Sequence, residues 1–239
     1  MSVRQPSLLA LPECANCPIR HRAVCARCED DELKRLEEIK YYRSWQAGQT
    51  VVFVGDEMDF AATIVKGCAT LTKYLEDGRT QMVGLMMPSD FIGRPGKPQA
   101  QFEVVAATDL MLCMYRRTPF EKLMQEIPHL SQRMLEMSLD ELDAAREWMV
   151  LLGRKTAREK VASLLTSLFR RARLDAETEI RADLPLTREA MASYLGLTIE
   201  TVSRQITGLR KDGLITLNGS RGIATPDFAA LCRVAEKAA

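Results

Sequence analysis

The stretch TREAMASYLGLTIETVSR, residues 187–204, decides the fold. Thr187 can cap a helix from Arg188 to Leu195, Gly196-Leu197 turns the chain, and Thr198 can cap a second helix from Ile199 to Asp212. Ala192 is small enough for the two helices to cross closely, and Gly196 permits a left-handed backbone angle in the turn. Leu195, Leu197 and Val202 fill the wedge between the helices. Downstream, Leu214 to Leu217 and Arg221 to Thr225 flank Asn218-Gly219-Ser220, the pattern of two short strands around a tight turn. A helix–turn–helix followed by a hairpin is a winged helix.

That packing leaves Glu200, Thr201, Ser203 and Arg204 pointing outward at the start of the second helix, where a recognition helix meets base edges. Arg204 matches guanine O6 and N7, Glu200 can accept from cytosine N4, and Ser203 can serve either partner. Arg188, Arg210, Lys211 and the wing residue Arg221 are placed for phosphates. Double-stranded DNA is therefore the expected partner. Charge agrees: residues 153–239 hold 15 Lys and Arg against 10 Asp and Glu, a net +5, whereas residues 1–152 stand at −4.

Working back along the chain, Pro128 opens a long helix from about Leu130 to Leu152, and Gly153 closes it. Leu135, Ser138, Leu142, Ala145, Met149 and Leu152 recur at alternating three- and four-residue steps, an a/d seam interrupted by one serine. A second stripe, Leu130, Met134, Met137, Ala144, Trp148 and Leu151, runs beside it. One stripe can bury the helix in its own domain and leave the other for a homodimer. Thr118 and Pro119 mark the start of a shorter helix before it.

Seven of the thirteen glycines lie between Gly48 and Gly96, and none between Gly96 and Gly153. In that turn-rich region, short runs at 50–54, 61–65, 69–75, 81–87, 102–106 and 109–115 alternate with turn residues. They predict a β-sandwich or barrel, because they are too short for helices and no helix separates them. Asp30 to Ile39 predicts an amphipathic helix with Leu33, Leu36 and Ile39 on one side, and the charged run Arg170 to Asp183 reads as a connector.

Near the start, Cys14, Cys17, Cys25 and Cys28 follow a C-x2-C-x7-C-x2-C spacing. The apolar run Leu8 to Leu11 has no basic region or cleavage site around it, and no stretch approaches the ~18 apolar residues of a membrane helix. The expected location is cytoplasmic, without membrane contact, where clustered thiols are metal ligands more often than disulfides. Spacing alone leaves zinc on the four N-terminal thiolates and an iron–sulfur cluster equally open, and a Cys25–Cys28 disulfide switch is a third reading. His21, between Arg20 and Arg22, reads as solvated; Cys68 and Cys232 read as small buried hydrophobes. A radical C-x3-C-x2-C spacing, a phosphate loop and a paired acid/base motif around either histidine are all missing from the sequence, so no enzyme is expected.

A β-roll, a long helix and a C-terminal winged helix in this order resemble the CRP/FNR transcription regulators over nearly the whole chain. The resemblance implies an α+β fold with a cyclic-nucleotide-binding-like β-roll, a dimerisation helix and a winged helix-turn-helix. The corresponding divisions are 1–29, 30–118, 119–153 and 154–239. Thr198 to Arg204 resembles the FNR-type recognition helix, which implies that Glu200, Ser203 and Arg204 read TTGAT half-sites of a two-fold site. The N-terminal cysteines resemble those of FNR-type oxygen sensors, with the wider gap of α-proteobacterial members. By that resemblance Cys14, Cys17, Cys25 and the distant Cys113 hold a [4Fe-4S] cluster, with Cys28 spare. Oxygen would then destroy the cluster and dissociate the dimer, and RNA polymerase would be recruited through turns such as Asp77-Gly78-Arg79. Phe91 to Pro98 lacks the Gly-Glu phosphate cassette and the Arg-Ser or Arg-Thr pair of cyclic-nucleotide members, so no cyclic nucleotide is expected.

Overall fold

The computed structural model describes residues 13–172, 180–219 and 221–236, and divides into two compact units, Met1–Leu142 and Asp143–Ala239. The apolar run Leu8 to Leu11, half of the expected connector (173–179) and Ser220 of the wing turn lie outside the described residues.

The first unit begins with a 3-10 turn at Cys14–Asn16 and helix α1 at Asp30–Ile39. Glu29 and Glu32 form a capping box at the start of α1, and Leu33 and Leu36 are buried on its inner face. Eight strands follow: β1 Lys40–Trp45, β2 Thr50–Val52, β3 Phe60–Lys66, β4 Ala69–Tyr74, β5 Thr80–Met86, β6 Phe91–Ile92, β7 Glu103–Ala106 and β8 Leu110–Arg116. They pair into two four-stranded sheets, β1-β8-β3-β6 and β2-β7-β4-β5, with every neighbouring pair antiparallel. Trp45, Ile64, Ala69, Val104, Leu110, Leu112 and Met114, drawn from both sheets, share one buried core. This is the expected β-roll, with β1 and β6 as strands the sequence pattern did not reveal.

Helix α2 spans Arg117–Glu126 and α3 spans Pro128–Arg154. The cap of α2 is Arg116 rather than the expected Thr118, and it makes no side-chain capping bond. Phe120 is fully buried and stacks on Tyr115 of β8 at 5.0 Å and on Phe91 of β6 at 5.7 Å. A second core forms there from the cysteine segment, α1, β8, α2 and Leu130 at the start of α3.

In the second unit, α4 (Ala157–Ala172), β9 (Ile180–Asp183), α5 (Arg188–Leu195), α6 (Ile199–Lys211), β10 (Thr216–Asn218), β11 (Gly222–Thr225) and α7 (Phe228–Glu236) follow the end of α3. The wing is a three-stranded sheet, β10-β11-β9, because part of the charged run after Arg170 joins it as an edge strand. The fold is therefore α+β, with a cyclic-nucleotide-binding-like β-sheet domain, a long helix and a winged helix-turn-helix.

One turn makes a sharp demand on sequence. Gly67 joins β3 to β4 at φ +84°, and a Cβ there would lie 2.0 Å from the carbonyl oxygen of Asp109. Gly67→Ala is expected to lower the unfolding free energy by at least ~2 kcal/mol, combining left-handed strain with a backbone clash. Urea unfolding of the full chain measures it.

Candidate nucleic-acid interface and thiol pocket

The helix pair forms for the local reasons its sequence suggests. The Thr187 hydroxyl accepts from the Ala190 N–H, and the Thr198 hydroxyl accepts from the Thr201 N–H at 3.2 Å. Gly196 adopts φ +61°, and Ala192, Leu195 and Val202 are buried. Lys160 of α4 donates to the carbonyl of Leu195 at 3.3 Å, and Arg158 pairs with Asp212 while its Nη1 lies close over Gly208. These bonds tie α4 to the end of α5 and to the C-terminal end of α6.

The outer face of α6 is consequently free of packing duties. Glu200, Ser203 and Arg204 are exposed, and Arg204 is aimed by a 3.2 Å bond from Nη2 to the Thr201 hydroxyl. Hydrogen bonds from its own backbone N–H and from Thr198, with Arg204 nearby, hold the Glu200 carboxyl below its usual range. It is thus an ionised acceptor at neutral pH. Ser203, Arg204, Thr207, Gly208 and Lys211 line an open groove of about 380 Å³. Arg210, Lys211 and Arg221 are exposed, whereas Arg188 is half-buried with Nη1 3.7 Å from Met191 Sδ. Burial holds the Arg188 guanidinium below its ordinary pKa. Thr207 and Gly208 are groove residues that the sequence pattern does not single out.

Along α3, Leu135, Leu139 and Leu142 in the first unit and Met149 and Val150 in the second are 45–70% exposed. Ala145 is exposed and Leu152 half-buried. Leu139 and Val150 were not part of the expected seam, because periodicity alone does not say which apolar stripe the fold leaves uncovered.

The cysteine segment lies against the first unit. Cys14, Cys25, Cys28 and Cys113 are buried in one core with Ile19, Val24 and Leu36, and Cys17 packs half-buried against it. Cys113 occupies the middle of β8, opposite Tyr42 of β1 and Thr63 of β3. Its Sγ lies 3.5 Å from the Tyr115 hydroxyl, and Cys14 Sγ lies 3.4 Å from Lys40 Nζ. Cys68 is buried, Cys232 half-buried and His21 exposed, and none of the seven cysteines is in a disulfide.

Among the described residues, no group of three or more His, Cys, Asp or Glu side chains is arranged to hold a metal ion. This corrects the expected cofactor: neither a [4Fe-4S] cluster on Cys14, Cys17, Cys25 and Cys113 nor a zinc on the N-terminal four fits the arrangement. The physical reason is packing: in place of a ligand set, Cys14, Cys25, Cys28 and Cys113 sit in an apolar core with Ile19, Val24 and Leu36. Burial, reinforced by the neighbouring cysteines, pushes the Cys25 thiol from 9.0 up to about 12. Burial likewise raises Cys28 and Cys113 to about 11, and it raises Cys14 against the opposing pull of Lys40. The oxygen-driven loss of a cluster falls with the cluster.

A direct tie between this segment and α3 was not legible in the sequence. Arg133 donates to the carbonyl of Arg22 at 2.7 Å and to that of Ala23 at 3.4 Å, and Arg27 pairs with Glu136 at 2.8 Å. Met134 and Met137 of α3 pack on the same core.

A helix–turn–helix with an exposed polar recognition face and a three-stranded wing defines a DNA-binding protein. The profile of the Crp-like helix-turn-helix domain matches residues 159–234, and that of the cyclic nucleotide-binding domain matches residues 42–127. The chain is 61% identical over 228 residues to the transcriptional activator protein FnrL of Cereibacter sphaeroides, covering 92% of this chain and 91% of that one. It is 36% identical over 204 residues to the nitrogen fixation regulation protein FixK of Bradyrhizobium diazoefficiens, covering 85% and 86%. Among solved structures, FixK2 from Bradyrhizobium japonicum superposes with a TM-score of 0.75 at 29% identity, covering 84% of this chain and all of that one. The chain belongs to the CRP/FNR superfamily of transcription regulators and resembles its FnrL- and FixK-type members; it is a regulator and not an enzyme. Among the described residues no helix is long and apolar enough to cross a membrane.

A thiol whose pKa is raised by folding holds its proton more tightly in the folded state. Docking of the segment is therefore expected to be strongest below pH 9 and to weaken as pH climbs through 11 to 12. Alkylation of the reduced, folded protein should be slow at Cys25 and Cys113 at neutral pH and accelerate over that alkaline window. Arg133→Ala should accelerate labelling of Cys25 at neutral pH several-fold by removing the bonds to Arg22 and Ala23. Peptide mapping after timed iodoacetamide treatment reads both.

Proposed function

We propose that this protein is a transcription activator that binds two-fold TTGAT-type DNA sites as a homodimer. The observation that carries the reading is the exposed Glu200, Ser203 and Arg204 face of α6, with Arg204 held to Thr201 and the helix end paired to Arg158. Arg204 reads guanine, Glu200 accepts from cytosine, and Ser203 completes the contact. Lys211, Arg210 and Arg221 bind phosphates, with Arg188 a backbone contact that must first leave Met191. Activation is the printed role of FnrL, and it is assigned here by that likeness.

Pairing runs through α3, along Leu135, Leu142, Ala145, Met149 and Leu152, with Leu139 and Val150 enlarging the seam. The support is that, among the described residues, large apolar side chains on a regulator's long helix stand 45–70% exposed. RNA polymerase is the expected downstream partner, with the Asp77-Gly78-Arg79 turn, exposed at the end of the β4–β5 hairpin, as one contact.

We further infer that the input enters through the cysteine segment, and that no cyclic nucleotide supplies it. Arg133 and Glu136 connect the segment to the first turns of the pairing helix. The cleft beside Arg94, Lys97, Arg117 and Glu121 has about 10 Å³ of free space, room for about one water. Glu121 there already accepts from the Gly96 N–H and from Arg117.

Arg204→Ala is expected to cost about 1–3 kcal/mol on a TTGAT site and to relax preference at one base pair, whereas Lys211→Ala should weaken all sequences alike and reduce the salt slope by about one. Titrations of labelled duplexes at several salt concentrations distinguish the two. Leu142→Asp should yield monomers in sedimentation and lose binding to the two-fold site; a persistent dimer would remove the seam from the reading.

A further inference from the structure

Two contacts meet where α3 ends. Trp148 stacks on Tyr194 of α5, with ring centroids 3.9 Å apart and planes 21° from parallel. One helical turn later Leu152 reaches the turn glycine, where a Cβ on Gly196 would meet Leu152 Cδ2 at 3.9 Å. Leu151 is buried on the same face, while Met149 and Val150 stand exposed beside it. The i, i+3 and i+4 spacing of Trp148, Leu151 and Leu152 puts all three on one side of α3. Of these, Trp148 meets the scaffold helix α5 and Leu152 meets the turn immediately before the Thr198 cap of α6.

None of these residues belongs to the base-reading face. Tyr194 is half-buried on α5, and its ring is spent on Trp148. A close aromatic stack resists tilting as well as separation, because both change ring overlap. On a two-fold site, two recognition helices must enter the major groove about one helical turn of DNA apart, so any tilt of α6 relative to the pairing helix shifts both contacts.

We propose that Trp148 and Tyr194 are positioning residues for half-site spacing: their stack sets the angle of the recognition helix relative to the C-terminal part of the pairing helix. The proposal rests on the dimeric reading given above. It assigns to Trp148, in the second apolar stripe of α3, a role distinct from pairing and from base contact.

The test uses the full chain with Trp148→Leu, Tyr194→Leu, the double variant and Trp148→Phe. Binding is measured on a two-fold duplex of optimal spacing, on duplexes with one base pair inserted or removed, and on a single half-site. Each single leucine variant should lose about tenfold on the optimal duplex, equivalent to ~1.4 kcal/mol. Each should also discriminate less among spacings, retain wild-type half-site affinity and remain dimeric in sedimentation. The double variant should lose no more than either single one, and Trp148→Phe should stay near wild type. Equal losses on half-site and full site, additive losses in the double variant, unchanged spacing preference, or dissociation of the dimer would each overturn the proposal. Failure of the dimeric reading is separately visible: wild-type protein would then bind the two-fold duplex no better than the half-site.

Discussion

The constraint on which the rest depends is the arithmetic of one helix. A helix returns to the same face every 3.6 residues, so α3 has room for only a few distinct stripes. Its first turns spend Leu130, Met134 and Met137 on the cysteine core, and Arg133 and Glu136 on the segment's backbone and on Arg27. Its exposed side carries large apolar residues in water. Its last turns spend Trp148 on Tyr194 of the DNA-binding domain and bring Leu152 against the Gly196 turn. An insertion of a single residue would rotate every later position by about 100° and break this allocation.

The elements most legible in the sequence were those fixed by local chemistry. Thr187, Thr198 and Gly196 announce the helix pair because caps and left-handed turns need particular residues within three or four positions. The strands between Gly48 and Tyr115 were readable for a similar reason, since glycine turns punctuate them. β1 was missed because KYYRSW is bounded by a helix instead of a turn, and its outward positions are polar enough to resemble a loop. β9 was hidden in a charged run whose strand character comes only from pairing with β11. The last helix, α7, was missed although Asp227 caps it by accepting from the Ala230 N–H, a signal present in the sequence.

The candidate site was legible to different depths. Spacing suggested that the N-terminal cysteines gather, the family resemblance implied Cys113 beside them, and these residues share one buried core. The spacing carried no information on protonation, which depends on the apolar residues Ile19, Val24 and Leu36 closing around the sulfurs. Nor did it show the Arg133 bonds, because backbone carbonyls of an irregular loop leave no mark in the side-chain pattern. On α3 the two apolar stripes were visible, but their assignment to inside and outside is decided by three-dimensional packing.

The setting of Cys113 has a mechanical consequence. Its strand is hydrogen-bonded on both sides, to β1 and to β3, over nearly its whole length. The other pocket cysteines sit on a segment of turns and a single 3-10 helix. The pocket therefore joins a stiff wall to a compliant one. Any chemical change that pushes the sulfurs apart will displace the segment and leave the sheet in place. The displacement will then be felt where that segment's carbonyls meet Arg133, at the first turns of α3.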